Sequence, residues 1–130
     1  TTVGTDSDGV YIEGSDAITA DLGVISTTGD DSWGFEVWGF DADAPIDVTF
    51  DSVSTAGNNA YGGWVIANGP ITVTGGDVST DGDASYGLYV NTDDTIIVDV
   101  GNIDTAGDNS FALYTISSGD ADVTAGNLTT

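Results

Sequence analysis

Residues 76–101, GDVSTDGDASYGLYVNTDDTIIVDVG, are followed by GNIDTAGDNSFALYTISSGDADVTAG, which repeats the same pattern position for position. With Val78 as anchor, the matching residues are Ile25, Val53, Ile103 and Leu128, at successive spacings of 28, 25, 25 and 25 residues. A period of this length marks a solenoid, because one such unit cannot bury its own apolar face and must stack on its neighbours. Each unit has a glycine four residues after its anchor (Gly29, Gly57, Gly82, Gly107), and Gly4 falls in the same phase, so residues 1–130 read as a single array of five turns.

Inside a unit the apolar residues alternate with polar ones, the signature of strands buried on one face. A closing strand returns in every unit, with Ile18, Ile46, Ile71, Ile96 and Ala121 inward and, two places later, Ala20, Val48, Val73, Val98 and Val123. Ile97 is the one apolar residue on its outward side. Gly23, Gly76, Gly101 and Gly126 then turn the chain, where a positive φ is expected, into a short anchor strand. Thr27, Thr55, Thr80, Thr105 and Thr130 share the anchor's face and are expected to form a ladder with hydroxyls bonded to neighbouring turns.

A third strand begins at Trp33, Tyr61, Tyr86 or Phe111. Its inward face is read as those aromatics, then Phe35, Gly63, Leu88 and Leu113, then Val37, Val65, Val90 and Thr115. Its outward face carries Tyr11, Glu36, Trp64, Tyr89 and Tyr114 in one column and Glu13, Trp38, Ile66, Asn91 and Ile116 in the next. No helical periodicity appears. Three strands and three corners per turn predict an all-β, three-sided, right-handed parallel β-helix, whose five turns rise about 24 Å at one strand spacing per turn.

The array has no Lys, Arg, His or Cys against 22 acidic residues, for a formal charge of −22. A chain with no cation to set against phosphates does not bind nucleic acid, and without cysteine it has neither disulfides nor thiolate metal sites. Hydrophobic residues at 39%, regularly placed, still favour an ordered fold over a disordered acidic segment. Such a charge is tolerated where salt or divalent cations screen it, as in a saline or calcium-rich exterior. No apolar run is long enough to cross a bilayer, so membrane insertion is not expected. The chain opens with Thr1 where a translated protein has Met, and is expected to be a processed chain or a segment of a longer one.

Repeats of the form GNIDTAGDNSFALYTISSGDADVTAG resemble those of bacterial β-helix adhesins, such as autotransporter passenger domains and filamentous haemagglutinin-like exoproteins. The resemblance spans the whole chain as a style of repeat. It implies a secreted or surface-exposed structural or adhesive protein, although this chain departs from it in lacking every basic residue and any translocator or export domain.

Carboxylates recur at the expected corners: Asp6 with Asp8, Asp30 with Asp31, Asp41 with Asp43, Asp81 with Asp83, and Asp93 with Asp94. Hard oxygen ligands suit calcium, and Asp30, Asp31, Asp81, Asp83 and Asp108 are the candidate ligands, although neither a GGxGxDxUx repeat nor an EF-hand loop is present. Paired carboxylates can also hydrolyse glycosides. With no Lys, Arg or His to bind uronates, activate a nucleophile or clamp phosphate, no enzymatic role is expected. The second turn is three residues longer, the excess falling near Phe40, Asp41, Ala42, Asp43, Ala44 and Pro45, and predicts a surface loop beside Trp38. Thr72 and Thr74 form one TxT pair of the kind found on ice-binding solenoids, but Asp47, Asp99 and Asp122 interrupt the outward columns.

Leu128, Thr129 and Thr130 hold the phase of Val53, Ser54 and Thr55, while Thr1 and Thr2 hold that of Ser54 and Thr55. A second copy placed head to tail would continue the spiral, and such a heterologous contact propagates instead of closing. The expectation is therefore a self-stacking structural subunit, or a segment of a longer covalent array, in an extracellular filament or cell-surface fibre. The alternative is an adhesin module in which the stripe Tyr11, Trp38, Trp64, Ile66, Tyr89, Tyr114 and Ile116 meets a host glycan or protein.

Overall fold

The computed structural model describes residues 1–130 and contains three parallel sheets and no helix. The anchor sheet has six strands: Thr2–Val3, Val24–Thr28, Ser52–Ala56, Val78–Asp81, Ile103–Ala106 and Leu128–Thr129. The aromatic sheet has five: Val10–Gly14, Phe35–Gly39, Gly63–Ala67, Tyr86–Thr92 and Phe111–Ser117. The closing sheet has five: Ile18–Asp21, Ile46–Phe50, Ile71–Gly75, Ile96–Val100 and Ala121–Ala125. Every strand pairs with its equivalent one turn away, as in Val78↔Ile103, Tyr89↔Tyr114 and Val98↔Val123. The molecule is a parallel β-solenoid of five turns.

The predicted inward columns, apart from the aromatic one that opens the third strand, supply most of one continuous core of 20 buried residues, in which Ile46, Ile71 and Ile96 are each 1% exposed and Val48 and Val73 are sealed off. In the last turn the same columns are open: Ala121 is exposed and Val123 is 42% exposed, because no further turn lies over them here. Two phenyl rings of the second turn reach over glycines of the third. A Cβ on Gly63 would lie 2.3 Å from Phe35 Cζ, and one on Gly75 would lie 2.3 Å from Phe50 Cζ.

The corner after the anchor strand is built as predicted on Gly4, Gly29, Gly57, Gly82 and Gly107, all at positive φ. The corner before it is not. Gly23 has a φ of 60°, but Gly76, Gly101 and Gly126 lie outside the left-handed region. Crowding selects glycine at those three positions: a Cβ on Gly76 would sit 2.0 Å from Asp51 O, and one on Gly101 2.4 Å from Asp77 Oδ1.

Thr27, Thr55, Thr80 and Thr105 are buried as expected, and Thr130 is exposed. Two of the hydroxyls bond within their own turn. Thr27 Oγ1 donates to Ser32 O (3.0 Å) and Thr55 Oγ1 to Ala60 O (2.8 Å), bracing the corner from inside. The adjacent backbone groups are already committed to the ladders, so the free carbonyl is the one across the corner. Thr105 alone reaches another turn, at Thr129 O (3.3 Å), and Thr80 Oγ1 is buried with no partner.

Candidate functional site

Seven aromatic rings form one array along the outside of the aromatic sheet. Parallel pairing in register stacks equivalent side chains one strand spacing apart, and this places Trp64 over Tyr89 (centroids 3.9 Å apart, planes 10° apart) and Tyr89 over Tyr114 (5.5 Å, 5°). A second column, Trp33, Tyr61, Tyr86 and Phe111, runs beside it at ring spacings of 5.2, 4.9 and 5.3 Å. Contacts such as Trp33–Trp64 (5.4 Å) and Tyr61–Trp64 (5.3 Å) join the columns. Stacked rings of this kind add about 0.5–1.5 kcal/mol per pair beyond their burial.

The second column corrects the sequence reading, which had turned Trp33, Tyr61, Tyr86 and Phe111 inward. Gly34 N and Phe35 N, consecutive amides, both donate to the next turn, at Tyr61 O (2.8 Å) and Gly62 O (3.2 Å). Two successive amides pointing the same way break the alternation of the pleat, and the aromatic just before the break falls outside. The small residues Gly34, Gly62 and Gly87 take the inner place. A Cβ on Gly62 would lie 2.6 Å from Val78 Cγ1 and 2.4 Å from Gly87 O. The recurring pair of an aromatic and a small residue was the available signal.

Of the predicted stripe, Trp64, Tyr89 and Tyr114 come together in the array, and Trp38 pairs in register with Ile66. Asn91 separates Ile66 from Ile116, and Glu36 separates Tyr11 from Trp64. Tyr11 is exposed and donates its hydroxyl to Glu13 Oε2 (2.7 Å), a bond that raises its pKa above the ordinary tyrosine range. Tyr61 is also raised, first by burial and then by the neighbouring Tyr86 and Asp31.

At the Thr1 end of the array, acids occupy two ring positions. Asp8 precedes Trp33 in one column, its Oδ1 accepting from Trp33 N (2.8 Å), and Glu36 precedes Trp64 in the other. A cavity of about 330 Å³ opens there, lined by Asp6, Asp8, Asp31, Trp33, Glu36 and Tyr61 together with Asn59. Glu36 is only 9% exposed. Burial pushes its carboxyl above the ordinary range and Asp8 pushes it further, against the opposing hydrogen bond that Trp38 Nε1 donates to Oε1.

The corner carboxylates have a structural task. Asp30 Oδ1 accepts from Asn58 N, Asn58 Oδ1 from Asp83 N, and Asp83 Oδ1 from Asp108 N, at 2.8, 2.9 and 2.8 Å. The ladder ends at Asp108, while Asp31 lines the cavity and Asp81 ends its strand. Nowhere does a group of three or more carboxylates gather closely enough to hold a metal ion. A serine column, unforeseen from the sequence although it recurs three residues after the corner glycine, runs alongside. Ser85 Oγ accepts from Ala60 N (3.2 Å) and donates to Gly57 O (3.2 Å), and Ser32 Oγ accepts from Ser7 N (3.0 Å) and donates to Gly4 O (2.7 Å).

The predicted loop of the second turn lies at the surface, with Phe40 52% exposed. Asn68 Nδ2 holds it by donating to Phe40 O (2.8 Å), and it passes so close to Gly69 that a Cβ there would lie 2.5 Å from Ala44 O. Comparison with family models, curated proteins and solved structures finds no match to this chain.

Proposed function

We propose that the chain is a structural unit of an extracellular β-solenoid filament or surface fibre, built by stacking turns. The observation that carries this reading is the way the inner turns seal one another: Val73 is sealed off and Val98 is 1% exposed, each stacked in register on its equivalent in the next turn. Equivalent turns stacked in register form a rod that a further turn of the same pattern extends. The aromatic array supports the reading too: its rings spend their faces on one another along the axis, adding lateral stiffness to the stack. A surface whose charged side chains are all acidic suits a saline exterior, where the charge is screened.

Light scattering of the purified chain across a concentration series in salt tests this. Growing particles are expected, and Val123→Asp, which puts a charge in the open column, should abolish growth. A wild-type chain that stays at about 13 kDa at every concentration would refute head-to-tail stacking of separate copies.

The adhesin reading rests on Tyr114 (41% exposed) and Ile116 (42% exposed), which leave an aromatic edge and an aliphatic group at one end of the face. Because the ring faces inside the array are covered by other rings, a glycan or host protein would meet edges over most of its length, which favours the structural reading. Calcium is proposed as a loosely held counterion at the corners. Asp83 and Asp108 are adjacent in one column, and two charges a strand spacing apart repel by about 3.5 kcal/mol at an effective dielectric of 20. Melting with calcium and with chelator at fixed ionic strength tests it: a higher midpoint with calcium is expected, and equal midpoints would leave only general screening.

A further inference from the structure

We propose that the cavity at the Thr1 end of the aromatic array is a binding site for a guanidinium group. Three features of the cavity define the ligand. It is where two rings of the array are replaced by acids, Asp8 and Glu36, beside the surviving rings of Trp33 and Tyr61. It is rich in acceptors and poor in donors: Asp6, Asp8, Asp31 and Glu36 line it. Glu36 is nine-tenths buried with its Oε1 accepting from Trp38 Nε1, while Oε2 has no protein partner and stays accessible to an incoming ligand. With no Lys, Arg or His in the chain, the compensating charge must come from another molecule.

The choice of cation follows from the same geometry. The carboxylates are spread around the cavity without converging on one point, so a metal ion would reach too few of them. A quaternary ammonium would stack on the indole but offer no hydrogens to the acceptors. A guanidinium is planar, stacks on aromatic faces and presents five donors in a fork that matches carboxylates. The volume of about 330 Å³ is at the small end of ligand pockets, enough for the head of an arginine side chain or for a free guanidino compound. Burial and Asp8 already hold the Glu36 carboxyl above its ordinary range, and a cation paired with it would relieve both.

The test is a titration of the purified chain at constant ionic strength with N-acetyl-arginine amide, N-acetyl-lysine amide and sodium chloride, read by tryptophan fluorescence and calorimetry. Capped arginine is expected to saturate one site and to bind at least tenfold more tightly than capped lysine. Glu36→Gln and Asp8→Asn, which keep shape and the Trp38 and Trp33 hydrogen bonds, should each weaken it about tenfold, while Asp99→Asn, on an exposed part of the closing sheet, should leave it unchanged. Circular dichroism checks that each variant keeps its strands. A response that is unsaturable and equal for arginine, lysine and sodium, or a Glu36→Gln protein that binds as wild type does, overturns the proposal. A Gly-Gly-Arg-Gly-Gly peptide identifies the source: tenfold tighter binding than capped arginine assigns the site to an arginine displayed by a partner protein, and equal binding assigns it to a free guanidino compound.

Discussion

The fit between Phe35 and Gly63 can be tested by moving volume from one to the other. Phe35 and its neighbour Leu88 are both fully buried, and a Cβ on Gly63 would lie 2.3 Å from Phe35 Cζ and 2.8 Å from Leu88 Cδ2. Gly63→Ala therefore overpacks a closed site from two sides, which costs about 1–3 kcal/mol, offset in part by about 0.4–1 kcal/mol from the stiffer unfolded chain. Phe35→Leu alone loses ring contacts with Phe50, whose centroid is 5.6 Å away, and leaves a void over Gly63. Its cost is about 1 kcal/mol, the typical gap between truncating Phe and truncating Leu to Ala. Combined, the alanine methyl enters the space the ring vacates. The double mutant should then be no less stable than the worse single, with a favourable coupling of about 1–2 kcal/mol. Urea unfolding of the four proteins, compared at equal m-values, measures this. Simple additivity of the two losses would refute the size complementarity.

Gly82→Val should cost 3 kcal/mol or more, roughly the sum of left-handed backbone strain and overpacking, since Gly82 has a φ of 157° and its Cβ would lie 2.1 Å from Gly57 O. Ser79→Val, on an exposed strand position, should stay within about 0.5 kcal/mol in the same assay. Thr80→Val removes the one core threonine hydroxyl that has no partner and should be neutral or stabilising, whereas Thr55→Val loses its 2.8 Å bond to Ala60 O and should cost about 1 kcal/mol. Glu36→Gln should raise the melting midpoint at neutral pH. Folding lifts the Glu36 pKa, chiefly through burial, so the folded state is penalised once pH rises through that value and the penalty vanishes below the ordinary glutamate range. The two proteins should therefore converge as the pH falls to about 4, and a gap that widens on acidification would contradict the assignment.

The repeat spacing and the period-two columns made the fold legible, because burying one side of a strand requires alternation and stacking turns requires recurrence. Ile46, Ile71, Ile96 and the valines two places later lie where alternation puts them. Alternation failed at Trp33, where the consecutive amides of Gly34 and Phe35 donate to the same neighbouring turn and reset the phase, and at its stacked equivalents Tyr61, Tyr86 and Phe111. It also missed why Gly76 and Gly101 are glycines, since close approach between turns is a property of the stack and not of the local chain. The cavity beside Glu36 was written in the columns as two acids standing where rings were due, Asp8 and Glu36. Those acids line a cavity only because Trp33 and Tyr61 lie on the outside.

Turns of this chain are proposed to stack end on end into a fibre. Electron microscopy of the native material, with intact-mass measurement after mild dissociation, tests it most directly. Fibres with one strand spacing per turn are predicted, giving an axial rise of about 24 Å for each five-turn unit. Chains near 13 kDa recovered from them would show separate stacked copies, and much longer chains would show a covalent array of the same turns. Compact, stable monomers with closed ends and no fibres would contradict the claim.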